Sequence, residues 1–105
     1  MNSHELAEKT AGLASRLNNL AVYHTGKDSR DLLQEQARLA DLASAAIIED
    51  LNAEHEAYQA ALSGLEVAIK YIGNADQQIE GVAEAIRLAA KAAAMVETAL
   101  KVAAM

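Results

Sequence analysis

His55 is the residue in this chain with the most obvious chemical potential. It stands among four acids, Glu49, Asp50, Glu54 and Glu56. An imidazole oriented by carboxylates is the material of a metal site or a general base. A helical di-metal centre places Glu three residues before its His, but position 52 is Asn and no second Glu-x-x-His occurs. Glu49, Asp50, Glu54 and His55 are therefore the metal candidates. The plainer expectation is that His55 is a polar insertion at a helix interface and that the acids form a solvated face. His24 and His4 stand in no motif. Ser15, Ser44 and Ser63 have no His and acid arranged beside them, and Gly-x-Ser-x-Gly is absent. No catalytic residue and no cofactor is expected.

The same acids could hold Mg²⁺ for a phosphate substrate, as in the all-helical nucleotide pyrophosphohydrolases, which set Glu-x-x-Glu on one helix and Glu-x-x-Asp on another. Here Glu5 and Glu8 are separated by two residues, and the facing set is missing: Asp76, Glu80 and Glu84 fall at steps of four. Tyr71-Ile72-Gly73 is similar, over three residues, to the aromatic-x-Gly turn of the small secreted helical hairpins of the WXG type. In this chain the turn lies three-quarters along and an extra helix precedes it, so glycine as the ordinary helix terminator accounts for it.

Composition narrows the scaffold. The 105 residues form one domain, 52% apolar, without Phe, Trp, Pro or Cys. A core of Ala, Leu, Ile and Val fills space only where backbones approach closely, which suits helix on helix. Disulfide and thiolate chemistry are excluded. The net charge of −6 argues against nucleic acid, which needs clustered Lys and Arg. Six acids and no base lie between Leu39 and Ile69, so the middle of the chain carries the whole excess. No apolar run is long enough to span a bilayer, and the first residues lack a basic region followed by an apolar run. A cytoplasmic protein is the expectation.

Three helices must position these residues. The first, over about 3–24, turns Leu6, Thr10, Leu13, Leu17, Leu20 and His24 inward, with Asn2 and Glu5 as a capping box. The last runs from Asn74, capped with Gln77, to the end of the chain. Its stripe is Ile79, Val82, Ile86, Ala89, Ala93, Val96, Leu100 and Ala103. A second stripe beside it holds Ala85, Leu88, Ala92, Met95, Ala99 and Val102. Gly12, Gly64 and Gly81 inside helices suggest close backbone contact. Between these helices, Ala37, Ser44, Leu51, Tyr58, Leu65 and Ile72 recur every seven residues, and Leu33, Ala40 and Ile47 pass with a one-step drift to Ile48, His55, Leu62 and Ile69. This continuity favours a single helix over 28–72 rather than a break near Asn52.

The expected architecture is thus an all-α helical bundle with coiled-coil-like packing. It has three helices with a long middle one, or four if that helix breaks near Asn52. A long middle helix leaves apolar stripes open, and a second copy closes them, so a homodimer is expected. Its interface residues are Ile79, Val82, Ile86, Leu88, Met95, Val96, Leu100, His55 and Tyr58. The expected function is protein–protein interaction: self-association plus an unknown macromolecular partner, with no nucleic acid and no membrane. The rival is a metal-dependent enzyme acting on a nucleotide-like phosphate through the acids around His55.

Overall fold

Four helices form: α1 (His4–Ala21), α2 (Gly26–Ile48), α3 (Glu56–Ile72) and α4 (Val82–Ala104). The computed structural model describes residues 4–49, 51–52 and 54–104, among which there is no strand. Asn2, half of the expected first capping box, lies outside the described residues.

α1 follows its periodicity. Leu6, Thr10, Leu13, Leu17, Leu20 and, just past its end, His24 are all buried. The Thr10 hydroxyl donates to the Leu6 carbonyl at 2.7 Å, so its burial leaves no polar group unpaired. The helix stops at Ala21 rather than at 24, and the next three amides tighten onto carbonyls three residues back. Gly26 then takes φ +62 and the chain reverses. Ser29 Oγ closes the corner on the Ala21 carbonyl at 3.1 Å.

The long middle helix does not form; the chain takes the four-helix alternative, with the break around Asn52. Glu49 caps the end of α2 in extended conformation, with φ −75 and ψ 146. Asn52 Oδ1 accepts from the Glu54 amide at 2.9 Å, a local bond that competes with helix. His55 then acts as N-cap of α3, its Nδ1 accepting from the Ala57 amide at 3.0 Å. Charge agrees with this division, because Glu54 and Glu56 lie at the positive end of a helix dipole only if α3 begins here.

The unbroken sevenfold series had joined two different faces. Leu51, Tyr58, Leu65 and Ile72 are buried, whereas Ala37 and Ser44 are exposed. In α2 the core is served instead by Leu32, Leu39, Ala43 and Ala46. A phase slip at the break is therefore present, hidden by apolar residues on both sides of α2.

α4 also starts later than expected, at Val82. Gly73 with φ +69 and Ala75 with φ +58 place the chain in the left-handed region, where a right-handed helix cannot continue. Asn74 therefore caps no helix, and Ile79 lies in the connection rather than in α4.

In the bundle α1 packs on α2, and α3 on α4. These two pairs stack through α2 against α4 and α1 against α3. α2 and α3 occupy opposite corners, so the connection between them crosses one end of the bundle. Leucines of α1 and α2 face the alanines of α4: Ala85, Ala89, Ala92, Ala93 and Ala99 are all buried. Small residues bring α3 and α4 close, since a Cβ added at Gly64 would stand 3.6 Å from the Ala92 Cα. Among the described residues, ion pairs tie Arg38 of α2 to Glu97 of α4 and Lys9 of α1 to Glu66 of α3.

Candidate functional site

The residues around His55 do not converge. His55 is exposed, not set on an apolar stripe, and its Nδ1 already serves the Ala57 amide. Glu54 is exposed, Glu49 half-buried at the opposite side of the turn, and Asp50 lies outside the described residues. Among the described residues no three His, Asp or Glu side chains group to hold a metal ion. What stands beside His55 is a half-open apolar cavity of about 240 Å³, lined chiefly by Leu51, Tyr58, Ala99 and Val102. Tyr58 is buried in this end of the bundle, and its hydroxyl hydrogen-bonds to the backbone at Leu6. Burial pushes its phenol above the ordinary value, an effect that the Leu6 contact partly offsets.

The expected interface residues divide. Val96 and Tyr58 are spent in the core of the single chain. Ile79, Val82, Ile86, Leu88, Met95 and Leu100 are partly buried against that core. Leu88 and Met95 line a groove along α3 and α4 whose floor is Gly64 and Ala92. Much of the apolar surface that seemed to require a second chain is therefore covered by the chain's own helices once the middle helix folds back on itself.

Of the large apolar side chains left exposed, Leu33, Ile47 and Ile48 belong to α2, Val22 and Tyr23 to the turn after α1, and Val67 and Tyr71 to α3. Leu33, Ala37, Ala40, Ser44 and Ile47 recur at steps of four and three beside the Leu32, Leu39 and Ala46 series; Leu33, Ala37, Ser44 and Ile47 are exposed, and Ala40 is partly buried against the core. Leu33 is 42% exposed, Ile47 60% and Ile48 83%. No charged side chain interrupts the stripe between Leu33 and Ile47; Asp41 stands on its rim, exposed. Beside its lower end, His4, Ala7, Glu8 and Ala11 of α1 form with Ile47 a shallow cavity of about 270 Å³. These stripe residues are visible in the sequence, but they read as core there. The signal that corrects them is the competing Leu32, Leu39 and Ala46 series, also seven apart and with two leucines. α2 is apolar on two faces, and the bundle uses one.

Comparison of the chain with protein-family profiles, with curated proteins and with solved structures gives no match.

Proposed function

We propose that this chain is a small acidic interaction module that works through the outward face of α2, by self-association and by contact with another macromolecule, without catalysis. The observation that supports this is the exposure of Leu33 and Ile47 on one charge-free helical stripe, with exposed Ile48 beside it. Single exposed apolar residues are ordinary, but a contiguous stripe at helical spacing marks a surface that another helix covers. The packing proposed across this stripe is the coiled-coil-like kind, helix along helix at steps of three and four.

The test compares wild type with the triple variant Leu33→Lys, Ile47→Lys, Ile48→Lys, in quantitative proximity labelling in the source cells. Both chains are expected to melt alike, because the three side chains leave the core untouched. Proteins enriched by the wild type and lost by the variant, the chain itself included, are the expected result. Identical enrichment from two equally folded chains overturns the assignment of this face.

A further inference from the structure

We infer that His24 is a pH-sensitive latch on the connection between α3 and α4, closed while its imidazole is neutral and opened by protonation. α1 and α3 end, and α2 and α4 begin, at the same end of the bundle. The corner at residues 22–25 and the connection at residues 73–81 meet there, and Val22 and Tyr23 share a shallow cavity with Asn74, Ala75 and Asp76. His24 belongs to the corner and is only 8% exposed. Its Nε2 accepts from the Ile79 amide of the connection at 3.3 Å. Among the described residues, this is the hydrogen bond that ties residues 74–80 to the rest of the bundle.

The bond depends on the protonation state of the ring. A neutral imidazole has one acceptor nitrogen, and an imidazolium has none. Because Nε2 is the acceptor here, the single proton of the neutral ring sits on Nδ1. A second proton lands on Nε2 and faces the Ile79 N–H, donor against donor, in a site largely closed to water. Histidine takes up that proton between about pH 5 and 8. The charged groups around this end give the imidazolium no partner. On α1, Arg16 donates to the Gly12 carbonyl. At the start of α2, Lys27 holds Asp31, and at the start of α4, Arg87 holds Glu84. Asp28, Arg30, Lys70, Asp76 and Glu80 are exposed, as are the phenols of Tyr23 and Tyr71. None of these acids pairs with His24 among the described residues.

The latched segment does not hold its own shape. Gly73 at φ +69 and Ala75 at φ +58 both stand in the left-handed region. An alanine stays there only where its surroundings impose it. Ala75 is buried and Ile79 packs against the core, while Val22, Tyr23 and Tyr71 at the same end are exposed. Loss of the bond frees the connection and brings Ala75 and Ile79 to the surface beside them. Acidification thus enlarges the apolar surface at this end while the four helices stay packed.

Amide hydrogen exchange of the full chain, read residue by residue by NMR and expressed as protection relative to an unstructured peptide at each pH, tests the latch. Between about pH 7.5 and 5.5, Ile79 is expected to lose about tenfold in protection, the weight of one hydrogen bond. Leu13, in the middle of α1, reports opening of the whole bundle and should keep its protection. His4 and His55 stand at the starts of α1 and α3, at the opposite end of the bundle, so a change confined to residues 73–81 belongs to His24. His24→Gln replaces the ring with an acceptor that does not titrate, and its Ile79 protection should be the same at both pH values. His24→Leu removes the acceptor and should leave Ile79 weakly protected at both. Undiminished protection of Ile79 in the wild type at the lower pH overturns the inference. So does an equal fall at Leu13, a pH-dependent fall that persists in His24→Gln, or a His24→Leu chain as well protected as the wild type at the higher pH.

Discussion

His55 shows how one residue changes meaning with its local backbone. In a continuous helix it would be a polar intrusion on an apolar stripe with acids one turn away. As an N-cap it satisfies the amide two residues on, and Glu54 and Glu56 beside it are exposed to solvent. His55→Ala should therefore lower stability by about 0.5–2 kcal/mol, the usual cost of a lost cap, measured by chemical denaturation. Mg²⁺ or Mn²⁺ should leave the melting temperature unchanged. A metal-dependent rise that both Glu54→Ala and His55→Ala abolish would restore the enzyme reading. Tyr58 yields a pH prediction. Its pKa is raised in the folded chain, so its contribution to stability is fully present below the unfolded phenol value and is lost as pH rises through the folded one. The melting temperature should fall above about pH 10, and less steeply in Tyr58→Phe. Equal slopes in the two chains would mean that Tyr58 is not protected by burial.

Among the helices, α1 is the one whose spacing and burial agree throughout, because its apolar residues occupy a single face. α4 is nearly as legible from Val82 onward. Its late start was not, since Ala75 takes a left-handed conformation that an alanine gives no reason to expect. α2 misleads because both of its faces are apolar. Half-buried Gly64 of α3 and buried Ala93 of α4 are expected to answer oppositely to a larger side chain. At Gly64 an added methyl meets Met95 Sδ at 2.7 Å, the end of a side chain free to swing aside, and otherwise makes ordinary contacts. Removing a mid-helix glycine favours the helix by about 0.8–1.0 kcal/mol. Gly64→Ala should accordingly leave stability unchanged or raise it. Ala93 is fully buried with no such outlet, and Ala93→Leu should cost about 1–3 kcal/mol through overpacking. Thermal melts of the two variants check both; a destabilised Gly64→Ala would show that Met95 cannot move.

For the whole molecule, the break around Asn52 alters what needs covering. An unbroken helix over 28–72 would have left apolar stripes bare at both ends and made a second chain part of the fold. With the break, each helix is flanked by two others of the same chain, and α2 and α3 stand at opposite corners. Ion pairs across helices add little to this, being partly exposed. Glu97→Ala, which removes the partner of Arg38, should cost roughly 0.2–1 kcal/mol, less at high salt. A larger, salt-insensitive loss would mean that Glu97 packs rather than pairs.

The sequence by itself determined that the chain is helical: no proline, abundant alanine and leucine, and steps of three and four leave no alternative. It also determined the buried face of α1 and the close approach expected at Gly64. Only the tertiary structure decided where the middle helix stops and which face of α2 turns inward. The reason is physical. Periodicity reports that a face is apolar, but whether it is buried depends on what the rest of the chain brings to it, and α2 offers two such faces to a bundle that covers one.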